Sequence, residues 1–243
     1  IVLLSFIIMT LAVFFIFNTK KLFISKKIDY SEDAVFRIEK MLQPVVKLTH
    51  IGFMGPENIA FSISATGFSI HYDVISNSSL ILTNDHFCSD LKSSSALYVE
   101  DYNVNLIDRS DKNSQLRVVK TSPALDLCLL RSNGFIKPAK LIKDYYLPQL
   151  FEKVYVIGGP NGDFPIILDT YISAFLRRDR VSMEPLSNSG NKFIMISEEI
   201  LPGHSGSPVY TMDGYTVGII FGALPRYGGI AVSADDIKMF LFN

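Results

Sequence analysis

The sequence is poor in cysteine and carries almost no excess of charge of either sign, and these absences exclude several classes of protein. Its 243 residues include only Cys88 and Cys128, too few for a small secreted fold built on disulfides. We expect two buried thiols, although the sequence leaves a bond between them open. No Cys-x-x-Cys pair or cysteine-histidine cluster is present, so neither a metal nor another cofactor is expected. A net charge of −1 argues against nucleic acid as the main partner.

Histidine is also scarce, with four residues, whereas one glycine- and serine-rich segment is distinctive. Residues 202–208 read Pro-Gly-His-Ser-Gly-Ser-Pro. The pattern suits Ser205 as a nucleophile on a tight turn. Gly203 lets the backbone turn so that amide groups point at a developing oxyanion, and Gly206 leaves room beside the hydroxyl. The simpler alternative is a loop that merely joins two strands.

A serine hydroxyl needs a base to take its proton, and the base needs an orienting acid. His86 ends an apolar run at a polar turn, which is a suitable place to present an imidazole at a cleft. Asp126 has apolar residues on both sides, so we predict that it lies inside a strand, where a carboxylate needs a partner such as an imidazole N–H. The alternative for Asp126 is a turn or cap residue that precedes a strand. The chain order His86, Asp126, Ser205 is that of the chymotrypsin-type double barrel, unlike that of subtilisins or α/β-hydrolases.

These motifs resemble those of trypsin-like serine proteases. They are most similar to the protease domain of the Deg/HtrA family, and glutamyl endopeptidases share the Ser-Gly-Ser-Pro-Val ending. The similarity covers roughly residues 50–240, with the motifs in family order. It is carried by residues 80–86, 126–130, 154–160, 202–208 and 228–237.

The resemblance implies an all-β fold of two packed six-stranded antiparallel β-barrels, closed by a C-terminal helix. It implies a serine endopeptidase that hydrolyses peptide bonds in proteins or peptides through an acyl-enzyme. In this family Ser205 would attack, His86 would transfer the proton and Asp126 would orient the imidazole. The backbone N–H groups of Gly203 and Ser205 would form the oxyanion hole. The resemblance gives no motif that supports a homo-oligomer, and no PDZ domain is expected.

The specificity pocket is predicted from the same resemblance. Its residues are Glu199, Ile220, Phe221 and Gly222, and we expect a preference for small or medium apolar side chains, or for basic ones if Glu199 points into the pocket. His204 departs from the family pattern. We expect it to be an exposed loop residue, and a role in sensing pH is the alternative.

The first 17 residues form an uncharged apolar run that is about long enough to cross a bilayer. We predict a transmembrane anchor over residues 1–18 rather than a cleaved signal peptide, because no small-x-small cleavage site follows the run. Lysines on the C-terminal side of the run favour a cytoplasmic location for the rest of the chain. The resemblance favours the opposite, an extracytoplasmic protease domain on a single-pass membrane protein, and we adopt that prediction.

A polar linker over residues 19–45 is predicted to contain a capped helix that begins after Ser31 and ends before Pro44. The protease domain then covers residues 46–243. Short apolar runs recur about every ten residues, which is typical of an all-β barrel, with Gly67 and Asn77 as turns. The predicted limits are 46–135 for the first barrel, 150–234 for the second and 235–242 for the closing helix.

Two other functions compete with this interpretation. The first is a catalytically inactive double-barrel module that binds or scaffolds a partner, although such modules usually lose a member of the triad. The second is an esterase that carries the same triad on another fold. The order of the three residues and the absence of alternating strands and helices argue against the esterase.

Overall fold

The computed structural model describes residues 32–54, 59–89, 96–100, 114–143, 146, 148–177 and 192–242. Its helices are α1 (Glu32–Leu42), α2 (Asp85–Ser89) and α3 (Ala234–Phe242). Its strands are β1 (Val45–Met54), β2 (Ile59–Asp73), β3 (Ser78–Thr83), β4 (Ala96–Glu100), β5 (Ser114–Gln115), β6 (Arg117–Ser122), β7 (Leu127–Asn133), β8 (Lys140–Leu141), β9 (Lys153–Gly158), β10 (Ile166–Arg177), β11 (Lys192–Ile196), β12 (Pro208–Thr211), β13 (Tyr215–Leu224) and β14 (Gly228–Ser233).

The strands form two sheets, one in each half of the chain. In the second half, β12, β9, β10, β11, β14 and β13 pair in that order, and β12 also pairs with β13, which closes a six-stranded barrel. In the first half, the described strands pair in the order β5-β4-β1-β2-β3-β7-β6, and β5 and β6 are not paired with each other. The prediction of an all-β chymotrypsin-like fold with a six-stranded barrel and a C-terminal helix is therefore confirmed.

The core explains why several strands read as unbroken apolar runs. Side chains alternate between the two faces of a strand. In β7, Leu127 and Leu129 pack between the two halves, whereas Cys128 and Leu130 pack inside the first sheet. Strand β9 behaves in the same way, with alternate residues inside the second barrel and between the halves. Strands buried on both faces line the contact between the halves, and this contact is where the candidate site lies.

Two features of the strands differ from the sequence prediction. Gly67 is not a turn residue but lies in the middle of β2. A Cβ atom at Gly67 would lie 2.8 Å from Ile81 Cγ2, so glycine is required there for close packing against β3 rather than for a change of direction. In the second difference, β8 lies between the predicted limits of the two barrels, residues 135 and 150, and pairs in parallel with β13. The apolar run of residues 104–107, which the ten-residue spacing of such runs also predicts to be a strand, lies outside the described residues.

The C-terminal helix α3 joins the two halves. Ser233 and Asp236 cap its first turn, with the Ser233 hydroxyl 3.0 Å from the Asp236 carboxylate. At its other end, Lys120 of β6 donates a hydrogen bond of 2.6 Å to the Phe240 carbonyl oxygen. A lysine at a helix C-terminus also interacts favourably with the helix dipole. None of the helices that the structure describes is long and apolar enough to cross a membrane. The predicted anchor lies outside the described residues.

Candidate active site

His86 and Asp126 meet because their strands are neighbours. Strand β3 ends at Thr83 and β7 begins at Leu127, and the two strands pair with Thr83 opposite Cys128. The segment after β3 and the turn before β7 therefore leave the sheet side by side. His86 lies in the short helix α2 just after β3, and Asp126 is the last turn residue before β7. The topology thus brings together two residues that are 40 positions apart in the chain.

The Asp126 carboxylate contacts His86 twice. One oxygen accepts a hydrogen bond of 2.8 Å from the His86 backbone N–H, and the other lies 2.7 Å from Nδ1 of the imidazole. An ionised carboxylate only accepts hydrogen bonds, so the Nδ1 atom must carry a proton. In the neutral ring, Nε2 then holds the lone pair and can act as a base. The His86 side chain is 49% exposed and that of Asp126 only 15%, so the base faces solvent while its partner is sheltered.

The prediction that Asp126 lies inside a strand is wrong, because its φ of +51° cannot belong to an extended backbone. Aspartate is among the residues that adopt this left-handed conformation most readily. Backbone hydrogen bonds from Leu125 to Ser122 and from Asp126 to Pro123 form the turn. The Asn84 side chain donates to the Asp126 carbonyl oxygen at 3.0 Å. The carboxylate is thus held by its turn and by the segment that carries His86.

A disulfide joins Cys88 to Cys128, with a Cα–Cα distance of 6.5 Å. The expectation of two free thiols is therefore wrong. Each cysteine lies two positions after a member of the His86–Asp126 pair, and each faces the core of the first sheet. The sequence could not show the bond, because only the pairing of β3 with β7 brings these cysteines together. The disulfide therefore links α2, which carries His86, to β7, which follows Asp126.

Ser205 lies in a turn, residues 201–207, in which most of the backbone carbonyl groups accept a hydrogen bond from a fixed partner. The Pro202 oxygen accepts from the Asn161 N–H at 2.7 Å, and the His204 oxygen accepts from the Ser207 N–H at 2.9 Å. In a trans peptide the C=O and the next N–H point in opposite directions. These two bonds therefore direct the N–H groups of Gly203 and Ser205 away from the protein partners. Within the described part of the chain, neither N–H has an acceptor.

Two glycines make this turn possible. Gly203 has a φ of +99°, and a Cβ atom there would lie 2.2 Å from the Gly159 oxygen. Gly206 has a φ of +85°, and its Cβ would lie 1.8 Å from the Thr66 oxygen and 2.5 Å from Thr83 Oγ1. Any side chain at either position would be strained and would also collide with its neighbours.

The turn is attached to the strand that leads to His86. The Thr66 N–H donates to the Ser205 oxygen at 2.8 Å, and Thr83, three residues before His86, donates to the Thr66 oxygen at 2.8 Å. The backbone of Ile220 on β13 holds the other side, accepting from Gly206 and donating to Ser207, both at 2.8 Å. Ser205 Oγ itself has no hydrogen-bond partner among the described residues. Catalytic hydrogen bonds are often long before substrate binds.

The model of the trypsin-like peptidase domain family matches residues 65–219, which include the His86–Asp126 pair and the Ser205 turn. The chain belongs to this family. The predictions of the family and of a serine-type hydrolase are confirmed.

Individual relatives in the trypsin-like family share about a third or less of their residues with this chain over the matched regions. A probable periplasmic serine endoprotease, DegP-like, from Pseudomonas putida is 31% identical over 157 residues, which are 64% of this chain and 29% of that protein. A protein of the same description from Pseudomonas fulva is 30% identical over 166 residues, 68% of this chain and 31% of that protein. The chain thus spans less than a third of the length of these curated relatives. The crystal structure of the Rv3671c protease from M. tuberculosis, active form, has a TM-score of 0.65 at 20% identity and covers 84% of this chain and 82% of that one, which shows the fold.

His204 is not the exposed loop residue that we expected of this trypsin-like chain. It is only 2% exposed. Its Nδ1 atom lies 3.3 Å from the Leu201 N–H and 3.2 Å from the Leu201 oxygen, so the ring closes the turn from inside. Burial lowers the pKa of His204 below its ordinary value, an effect that the Leu201 backbone partly opposes. The buried imidazole is therefore held in its neutral form.

The predicted pocket residues lie in different environments. The side chain of Ile220 is fully buried inside the second barrel, so the structure does not bring it to a substrate surface. Phe221 faces the other way and packs against Phe193, with ring centroids 4.9 Å apart. Gly222 is half-buried, and a Cβ atom there would meet nothing within 4 Å. Glu199 is exposed to solvent.

Three residues near the Ser205 turn, Asn161, Thr66 and Ile200, were not predicted from the sequence. Asn161 fixes the Pro202 carbonyl, and Thr66 binds the turn from the opposite half. The side chain of Ile200 lies so close to Gly229 that a Cβ there would be 2.2 Å from Ile200 Cγ1. Nothing in the pattern around Thr66 or Asn161 marks them, because both act on a segment far away in the chain. Gly229 could have suggested a close approach, since it lies in an otherwise apolar strand.

Proposed function

We propose that this chain is a serine endopeptidase that hydrolyses peptide bonds in proteins through His86, Asp126 and Ser205. The observation that carries the proposal is the double contact of Asp126 with His86. This contact leaves Nε2 as the basic nitrogen, and the Ser205 turn offers two N–H groups that have no acceptor among the described residues. A base, its orienting acid, a hydroxyl and two available donors are the parts that acyl transfer requires.

The reaction begins when Ser205 Oγ attacks the carbonyl carbon of the scissile bond and His86 Nε2 takes the hydroxyl proton. As the new carbon–oxygen bond forms, the carbonyl π bond breaks and its electron pair moves to the carbonyl oxygen. The resulting oxyanion accepts hydrogen bonds from the N–H groups of Gly203 and Ser205. The imidazolium that forms is stabilised by the Asp126 carboxylate, which does not itself take the proton. His86 then gives the proton to the leaving amine as the carbon–nitrogen bond breaks. In the second half of the reaction, a water molecule attacks the acyl carbon while His86 takes one of its protons. His86 returns the proton to Ser205 Oγ as the ester bond breaks, which releases the carboxylic acid and the free serine.

The substrate side of the proposal is a preference for small or medium apolar side chains. Supporting it, the space at Gly222 is open, and the apolar side chain of Ile200 lies against Gly229 on the neighbouring strand. The exposed Glu199 is the basis for the competing preference for basic side chains. A library of peptide substrates that differ at one position distinguishes the two, and Glu199→Gln would lower only the cleavage after basic residues.

We also propose that residues 1–17 anchor the chain in a membrane and that the peptidase domain lies outside the cytoplasm. The relatives from Pseudomonas putida and Pseudomonas fulva are described as periplasmic. The Cys88–Cys128 disulfide supports an oxidising compartment. Alkaline phosphatase fused after Asn243 and expressed in a bacterial host would be active under this proposal. An active green fluorescent protein fusion with inactive phosphatase would contradict it.

The decisive experiment uses a fluorophosphonate probe, which reacts with activated serines. The chain should be labelled, Ser205→Ala should not be, and the chain but not Ser205→Ala should cleave unfolded casein. Ser207→Ala is the matched control, because Ser207 is the second serine of the same turn. Label that persists in Ser205→Ala and disappears in Ser207→Ala would move the nucleophile to Ser207. A chain that is neither labelled nor active on casein would favour the inactive binding module.

A further inference from the structure

Thr66 of β2 lies at the point where the two halves of the molecule exchange hydrogen bonds. It is fully buried. Its backbone N–H donates to the Ser205 oxygen, and its backbone oxygen accepts from the Thr83 hydroxyl, both at 2.8 Å. Its side-chain hydroxyl also has two partners. It donates to the Gly203 oxygen at 2.9 Å and accepts from the Gly159 N–H at 3.0 Å.

The hydroxyl joins three segments that are far apart in sequence. One is β2 of the first sheet, the second is the turn of residues 201–207, and the third is Gly159, the residue that follows β9. Since the Gly203–Thr66 separation is 137 positions, no local preference of the chain can replace this bond. A buried hydroxyl that both donates and accepts is fully satisfied, and removing it would leave two buried backbone groups without partners.

The bond falls on the peptide between Gly203 and His204, whose other hydrogen bond among the described residues is local, from the His204 N–H to the Leu201 oxygen at 3.1 Å. Gly203 has no Cβ to restrict its torsions, so the residue does not itself fix the orientation of the peptide between Gly203 and His204. The carbonyls of the neighbouring peptides, Pro202 and His204, are bound by Asn161 and Ser207. The Thr66 hydroxyl is the partner of the carbonyl between these two, that of Gly203. All three successive carbonyls are thereby fixed, and so are the two N–H groups that face the candidate oxyanion site.

We propose that the Thr66 side-chain hydroxyl is a positioning group that holds the Gly203–Ser205 turn in its oxyanion-binding conformation from the opposite half of the molecule. The inference rests on the proposed function, because it assigns Thr66 to the same reaction. Thr66 touches neither the substrate nor the reacting atoms. It acts through Gly203, and its effect should therefore appear in kcat rather than in KM.

Three substitutions separate this role from ordinary packing. Thr66→Val keeps the shape and removes the hydroxyl, whereas Thr66→Ser keeps the hydroxyl and removes the methyl group. Ser69→Ala is the matched control. Ser69 lies on the same strand, is fully buried and donates a hydrogen bond of 3.1 Å to the Ile136 oxygen, which is not in the turn. Thr66→Val and Ser69→Ala should both lower the free energy of unfolding, because each removes a buried hydrogen bond.

The expected result is that kcat for a peptide substrate falls about 10- to 100-fold in Thr66→Val, with KM within about twofold of the wild-type value. Thr66→Ser should recover most of kcat, and Ser69→Ala should leave it within about twofold. If Thr66→Val does not fold, Thr66→Ala takes its place, since it leaves room for a water molecule between Gly203 and Gly159. An unchanged kcat in the folded variant would overturn the inference, and so would an equal loss of kcat in Ser69→Ala.

Amide hydrogen exchange of residues 201–207 provides a readout that does not depend on activity. Exchange should be faster in Thr66→Val than in the wild type and unchanged in Thr66→Ser and Ser69→Ala. If the wild-type chain is not labelled by the fluorophosphonate, the proposed function fails, and the exchange data still decide whether Thr66 holds the turn. Unchanged exchange in Thr66→Val would show that it does not.

Discussion

Asp126 contacts both the backbone and the ring of His86, with its two carboxylate oxygens 2.8 Å from the N–H and 2.7 Å from Nδ1. One carboxylate thus fixes the position of the residue and the tautomer of its imidazole. Because β3 and β7 are neighbours, the contact is built into the sheet and does not require a substrate to assemble it.

Asp126→Asn should distinguish the two effects of Asp126 on His86, which are to hold the residue in position and to fix the tautomer of its imidazole. The amide can still contact His86, but its NH₂ group can donate a hydrogen bond to Nδ1. The ring proton then moves to Nε2, and a protonated Nε2 cannot accept the proton of Ser205. We expect kcat to fall about 10³- to 10⁴-fold with the fold unchanged. Steady-state kinetics on a peptide substrate measures this, with Asp169→Asn as control because Asp169 forms an exposed ion pair with Lys153. A loss of less than about tenfold in Asp126→Asn would contradict the assigned role.

The Cys88–Cys128 disulfide should stabilise the first sheet, which carries the His86–Asp126 pair. It closes a loop of 40 residues, and replacing Cys88 and Cys128 together by serine should lower the free energy of unfolding by about 2 to 4 kcal/mol. Urea unfolding measures the change, and the wild-type chain in excess dithiothreitol should resemble the double variant. Equal stability of the oxidised wild type and the double variant would show that the bond does not form in solution.

His204 should make stability depend on pH in mild acid. Burial lowers the pKa of this imidazole in the folded state below 6.5, the ordinary value. As the pH falls through 6.5, the unfolded chain takes up a proton before the folded chain does, so the free energy of unfolding decreases. Well above pH 6.5 the imidazole is neutral in both states, so His204 adds no pH dependence to the free energy of unfolding.

His204→Asn tests this pH dependence, because its amide replaces Nδ1 and does not titrate. Urea unfolding at pH 7 and pH 5 should show a larger loss of stability in the wild type than in the variant. Equal losses would mean that His204 is not buried in its neutral form.

Gly206 should not tolerate a side chain. Gly206→Ala combines a φ of +85° with a Cβ only 1.8 Å from the Thr66 oxygen, so we expect activity to fall by more than about 100-fold or the turn to rearrange. Gly134→Ala is the control, since Gly134 has a φ of +86° but open space around its Cβ. It should cost about 1 kcal/mol of stability and no activity. Activity of Gly206→Ala close to that of the control would contradict the geometry of the turn.

The sequence predicted the fold well because its signals are local. Apolar runs such as residues 153–158 form strands in the structure, and the residues after Ser233 form the closing helix. Motifs also selected His86, Asp126 and Ser205, whose catalytic roles remain predictions. The conformation of Asp126 was not predictable, because an aspartate next to apolar residues can belong either to a strand or to the turn before it.

The environment of other residues depends on contacts between distant segments. His204 was taken for an exposed residue because its turn is polar, whereas the folded turn directs its ring inward. The disulfide required the pairing of β3 with β7, and Gly67 required the packing of β2 against β3. Thr66 is the clearest case, since its partners Gly159, Gly203 and Ser205 are all in the other half of the chain.

A crystal structure of the chain after reaction with a small fluorophosphonate tests the proposed mechanism at the reacting atoms. We expect a phosphorus atom bonded to Ser205 Oγ, with its oxygen within about 3 Å of the N–H groups of Gly203 and Ser205. The His86 ring should lie beside the adduct and keep its contact with Asp126. An adduct on Ser207, or an adduct on Ser205 whose oxygen points away from both N–H groups, would contradict it.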